Sequence, residues 1–175
     1  MAFAVELALD RDSAGPVRAL WRRMAEAGIR FMAESGADPH VSLAIWDRLS
    51  LEHAIAEVTV LAAATPPVPV TFTAVRAFGT EVLYLACEPS ARLTELQRVV
   101  QARFAPLGDG PWEHYKPTAW VPHCTLAMDL GPMTAATALA VAATLPLPSS
   151  SRLDRMAVVQ FRPVRERYSQ PLSGR

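Results

Sequence analysis

Lysine is almost missing from this chain: Lys116 is the only one, and asparagine does not occur. An ATP-dependent ligase that adenylylates a lysine would have one candidate side chain, which argues against that chemistry. Cysteine is scarce as well. Cys87 and Cys124 are too few for a metal cluster, lack paired spacing and sit in apolar strand-like runs, so they read as small buried hydrophobes. No apolar run approaches the length that crosses a bilayer, and the N-terminus has no basic stretch ahead of an apolar core. A soluble cytoplasmic protein is expected. Neither charge is in excess, with 17 basic side chains against 17 acidic ones. A protein that grips long nucleic acid through many phosphates shows a basic excess. A long electrostatic footprint is therefore not expected, whereas a nucleotide or an RNA end, where one or two phosphates decide, remains open.

What is present is a globular composition, 51% hydrophobic and 19% charged over 175 residues, enough for a single domain made of two lobes. Phe3 to Leu9 alternates as a strand. Ser13 reads as an N-cap with Pro16 in the first turn, ahead of a helix carrying Val17, Leu20, Trp21 and Met24 at helical spacing. Ile29 to Asp38 reads as a connector, followed by a strand from His40 to Trp46. A helix capped by Ser50 comes next, then a hairpin built from Val70 to Val75 and Val82 to Cys87. Ser90 caps a helix with the apolar stripe Leu93, Leu96, Val99, Val100 and Phe104. Leu107 to Val121 is irregular, an alanine-rich helix covers Thr134 to Leu145, and two strands close the chain. Strands and helices in this order predict an α+β fold.

Two six-residue stretches stand out. Pro39-His40-Val41-Ser42-Leu43-Ala44 and Pro122-His123-Cys124-Thr125-Leu126-Ala127 share one pattern and lie nearly half the chain length apart. On a strand, alternation puts His40 with Ser42 and His123 with Thr125, and turns Val41, Leu43 and Ile45, or Cys124, Leu126 and Met128, to the opposite face. If the strands are neighbours, two imidazoles and two hydroxyls meet in one cleft. Just ahead of the second motif, Trp112, His114, Tyr115, Lys116 and Trp120 interleave aromatics with a cation. They either stack a base and hold a phosphate or pack the loop against the sheet. Tyr115, Lys116 and Trp120 are the substrate-binding candidates. His53, in the first turn of a helix, reads as a surface residue.

The paired motifs His40-Val41-Ser42-Leu43 and His123-Cys124-Thr125-Leu126 resemble the two His-x-[Thr/Ser]-x motifs of the 2H phosphoesterase superfamily, in its 2'-5' RNA ligase (LigT-like) branch. The run Tyr115 to Thr125 also resembles one bacterial subgroup of that family. The resemblance covers essentially the whole chain. It implies a bilobal, pseudo-symmetric fold: two antiparallel sheets facing a central cleft, with helices on the outer faces. It implies His40 and His123 as catalytic acid and base, Ser42 and Thr125 as their hydroxyl partners, and no metal or other cofactor. The implied substrate is a nucleotide or RNA end carrying a 2',3'-cyclic phosphate or a 2'-5' linkage; a monomer is expected. The first motif departs from the family in having serine where threonine is usual.

Histidine suits this chemistry because its unperturbed pKa of about 6.5 makes both protonation states accessible near neutrality. A non-catalytic module that holds a nucleotide or RNA end in the same cleft is the rival reading. A metal-dependent hydrolase using His40, His123 and Asp38 or Asp129 is less favoured, because serine and threonine are poor zinc ligands. A Cys124–His123 nucleophile pair fails, since neighbours on a strand face opposite ways.

Overall fold

Apolar alternation at the N-terminus produces β1 (Ala2–Leu9), which sends Val5, Leu7 and Leu9 into the core. The computed structural model describes residues 1–174. Helix α1 (Arg11–Glu26) follows and buries Val17, Leu20, Trp21 and Met24. Its cap is Asp10 and not the expected Ser13: the Asp10 carboxylate accepts from the Ser13 N–H, and the Ser13 hydroxyl accepts from the Arg152 N–H instead. The expected connector contains a single helical turn, α2 (Phe31–Glu34).

The chain continues through β2 (His40–Leu49), α3 (Leu51–Ala64), β3 (Val68–Phe78), β4 (Val82–Cys87) and α4 (Ala91–Phe104). The irregular stretch expected after α4 contributes a short strand, β5 (Gly108–Pro111), whose Gly-Asp-Gly-Pro sequence has no strand signature. It forms because the outer end of β2 offers a free edge, and Pro111, Asp109 and Gly108 pair there with Trp46, Arg48 and Leu49. Strand β6 (His123–Ala127), α5 (Pro132–Ala142), β7 (Ser149–Phe161) and β8 (Arg165–Pro171) complete the fold.

All the strand pairings are antiparallel. The long strand β7 joins the lobes. One edge pairs with β1, while the other pairs with β3 over Ser149–Leu153 and with β8 over Arg155–Gln160. The first lobe is thus the wing β5-β2-β1-β7-β8 and the second is β3-β4-β6, continuous with it through the start of β7. The two expected sheets are the wings of one hydrogen-bonded set.

Two helices cross between the wings. α3 and α4 pack on β7, β8 and β2, whereas α5 packs on β4 and α1 on β6, with further contacts to β1 and β7. α1, which lies between β1 and β2, thus reaches the second wing, and α4, which follows β3 and β4, reaches the first, while a single apolar cluster runs through both. Among the described residues, no helix is long and apolar enough to cross a membrane.

Candidate active site

The two motif strands, β2 and β6, contact one another, and the Cys124 thiol lies against the backbone of His40. Each strand carries the same irregularity. Opposite β1, Glu6 pairs with Ser42 and Val5 with Ala44, leaving Leu43 unmatched; opposite β4, Tyr84 pairs with Thr125 and Leu83 with Ala127, leaving Leu126 unmatched. These are β-bulges one residue past each hydroxyl, and a bulge inverts the alternation beyond it. Ile45 and Met128 consequently line the cleft, contrary to the expectation from simple alternation, while Leu43, Ala44, Leu126 and Ala127 go to the core. The shared Leu-Ala after each hydroxyl is the bulge.

A bulge frees carbonyls, and buried donors meet them. The Trp120 indole N–H donates to Ser42 O at 2.9 Å, and the Trp21 indole N–H donates to Thr125 O at 3.3 Å. The fully buried Gln97 amide donates to Leu43 O and to Tyr115 O. Trp21 lies on α1 and Gln97 on α4, so the helix exchange supplies two of these donors.

Both histidines are held in the same way. Nδ1 of His40 donates to Asp38 O at 2.6 Å, and Nδ1 of His123 donates to Val121 O at 2.7 Å. A carbonyl only accepts, so each Nδ1 carries its proton and Nε2 is the nitrogen left for chemistry. The proline after Asp38 and after Val121 favours the extended backbone that aims each carbonyl at the ring.

The surroundings of the two rings differ. Nε2 of His40 lies 3.4 Å from the buried Glu6 carboxylate. The His123 ring instead meets Phe78 and Tyr84 edge-on, with centroids 5.0 and 5.2 Å away. Burial pushes the His123 pKa below the ordinary imidazole value; the Val121 carbonyl opposes this and the nearby His40 adds to it. Burial raises the Glu6 pKa, outweighing the pull of His40. Burial also works against ionised Asp38, but hydrogen bonds from Arg18 and Arg155, each 2.6 Å long, hold its pKa below the usual carboxylate range.

Glu6, His40, Ser42 and Thr125 line a cleft of about 450 Å³, whereas His123, expected beside them, is not part of its lining and packs instead against Phe78 and Tyr84. Its remaining wall is mostly apolar and includes Phe31, Ile45, Trp112, Tyr115, Met128 and Phe161. Tyr115 lies against the Ser42 hydroxyl, and burial pushes its phenol pKa up to about 12. The cation of the expected site does not reach the cleft: Lys116 is absent from its lining and pairs with Glu113 at 2.5 Å. Trp120 sits behind Ser42 as its carbonyl's donor and is absent from the lining, as is the exposed His114. Trp112, which is not among the substrate-binding candidates, does line the cleft, its indole donating to Asp47. His53 is exposed, its Nδ1 2.8 Å from the Ser50 hydroxyl. Among the described residues, no three His, Cys, Asp or Glu side chains form a group able to hold a metal.

Glu6 is the residue that the sequence reading passed over. The signal was available: on β1 the face opposite Val5, Leu7 and Leu9 carries only alanines around a single carboxylate.

Two pseudo-symmetric wings, each offering an imidazole and a hydroxyl from matched bulged strands, define a two-histidine α+β protein of the LigT-like fold. The model of the 2'-5' RNA ligase superfamily matches residues 12–164. The chain belongs to that family, the 2H phosphoesterases, and is an enzyme of phosphoester chemistry. Solved structures agree on the fold. E. coli LigT complexed with 3'-AMP is 17% identical, with 98% of this chain and 96% of that one covered at a TM-score of 0.57. TT0787 of Thermus thermophilus is 16% identical, with 99% of both chains covered at 0.63. Usb1 of Kluyveromyces marxianus is 14% identical, with 98% of both covered at 0.52. No curated protein sequence matches the chain significantly.

Proposed function

We propose that this enzyme is a metal-independent phosphodiesterase that opens 2',3'-cyclic phosphates, or cleaves 2'-5' linkages, on small nucleotides or RNA ends. The observation that carries the reading is the matched mounting of His40 and His123 on neighbouring bulged strands, each with Nδ1 tied to a backbone carbonyl, which leaves Nε2 as the nitrogen that can exchange a proton. His123 is the base. Its depressed pKa keeps the ring neutral near pH 7, ready to take a proton from the attacking water. His40 is the acid and delivers its Nε2 proton to the departing ribose oxygen as the P–O bond breaks. Ser42 and Thr125 donate to the non-bridging oxygens as charge builds in the transition state. Run backwards with a 5'-hydroxyl in place of water, the same site forms a 2'-5' bond without ATP.

The cleft favours a small substrate. Among the described residues its one lining arginine is Arg162, exposed and 3.6 Å from Asp129, and it also holds the carboxylates of Glu6 and Glu34. Such a surface accepts one phosphate with an aromatic or apolar substituent more readily than a polyanionic strand. That E. coli LigT has been solved with 3'-AMP and with ATP supports a nucleotide ligand. In this reading Tyr115 and Trp112 flank the substrate, while Trp120 acts through Ser42.

The test is a panel of 2',3'-cyclic mononucleotides, 2'-5' dinucleotides and cyclic-phosphate RNA ends, assayed with chelator present. Turnover of at least one, unaffected by chelator, is expected. Tight binding of every substrate without turnover would mark a binding module instead, and loss of activity in chelator would exclude the metal-independent mechanism.

A further inference from the structure

We propose that Glu6 is a positioning residue that keeps the transferable proton at Nε2 of His40 and so fixes which of the two histidines is the acid. This rests on the phosphodiesterase reading above.

The geometry leaves little freedom. Nδ1 of His40 is committed as a donor to Asp38 O, so the Glu6 carboxylate, 3.4 Å away, meets Nε2. Either His40 is doubly protonated and Nε2–H faces a carboxylate, or Glu6 is protonated and its O–H faces neutral Nε2. In both arrangements the pair of side chains carries one proton in common. Burial raises the Glu6 pKa, so the carboxyl is able to carry that proton when the ring does not.

The rest of the surroundings does not take over this role. Across the ladder Glu6 pairs with Ser42 on β2. Arg155 from β7, Glu166 from β8 and Asp38 act on it by charge alone, and Arg155 is already bonded to Asp38 and Glu166. Tyr115 and Cys124, the titratable groups nearest on the loop and on β6, both have pKa values pushed up to about 12 and stay neutral. On the neighbouring strand β6, burial disfavours the charged form of His123.

The two wings supply their own control. The residue paired with Ser42 is Glu6, and the residue paired with Thr125 is Tyr84. At the same register position one histidine has a carboxylate and the other an aromatic ring. The bulges, the Nδ1 contacts and the indole donors all match between wings, and this position does not.

In the reaction, water adds to phosphorus as His123 Nε2 takes its proton, the bond to the ribose oxygen breaks, and the proton held by His40 and Glu6 goes to that oxygen. The pair then regains a proton, given up by His123 through solvent, and the cycle balances.

Glu6→Gln keeps the side chain's size and removes its charge. In the pH dependence of kcat/KM, the alkaline limb should move down by about one unit, with activity at pH 8 falling ~10-fold and the acid limb unmoved. An even loss at every pH, or unchanged limbs, would overturn the proposal. The ¹³Cε1 resonance of His40, followed by NMR, is an independent reading that needs no turnover. It should titrate in two steps in the wild type and in one step in Glu6→Gln. One step at the same pH in both proteins would overturn the proposal even if the phosphodiesterase reading stands. Absence of turnover with the two-step titration intact would sink the reading and leave the proton sharing in place.

Discussion

At the scale of single residues, the two imidazoles are distinguished by what surrounds them. His123 sits among aromatic rings, and burial lowers its pKa. A base must be neutral to act, and a lowered value keeps it neutral to lower pH. The acid limb of kcat/KM should therefore fall below the ordinary imidazole value of about 6.5; an acid limb above that value would contradict the assignment. The cysteines behave differently from a redox or nucleophilic pair. Burial pushes Cys87 and Cys124 each up to about 12, so at pH 8 roughly one thiol in ten thousand is ionised. Iodoacetamide should leave both unlabelled in the native protein and label both in denaturant, and prompt native labelling would refute this. The inertness of these residues was legible in the sequence, because both stood in apolar runs.

At the scale of elements, the site depends on how the motif strands leave regular geometry. Each bulge exposes a carbonyl to an indole N–H, Trp120 to Ser42 O and Trp21 to Thr125 O. Trp120→Phe should cost about 1 kcal/mol of stability for the lost hydrogen bond and lower kcat several-fold, with KM little changed. Thermal melts and steady-state kinetics measure both, and an unchanged kcat would show that Ser42 needs no such support. Simple alternation found the His and hydroxyl faces but misplaced Ile45 and Met128, since nothing in the local sequence announces an extra residue in a ladder. Bulges are set by pairing with β1 and β4, which is tertiary information. Strand β5 was missed for a similar reason: the free edge of β2, and not the propensity of Gly-Asp-Gly-Pro, makes it a strand. Gly108 fits there because a Cβ would come within 2.7 Å of the Trp46 ring. By contrast, the apolar stripes of α1 and α4 were plain from spacing alone.

At the scale of the whole molecule, charge balance and the exchange of helices between the wings matter most. The chain is neutral, and the cleft contributes two carboxylates and one arginine. KM for a cyclic mononucleotide should change less than about threefold between roughly 50 and 300 mM salt, because few counterions are released. A steep decline in affinity with salt would instead indicate a multi-phosphate footprint. Two-lobed pseudo-symmetry was legible from the repeated motif. The helix exchange was not, because helix amphipathicity says which face is buried and not against which wing. It is this exchange that brings Trp21 from the first half of the chain to support the second motif.

The most direct measurement is turnover of a 2',3'-cyclic mononucleotide, in chelator, by the wild type beside His40→Ala and His123→Ala. The account expects the wild type to open the ring and each variant to lose ~10²–10⁴-fold in kcat while remaining folded. If either variant keeps wild-type turnover, the paired acid–base mechanism is wrong.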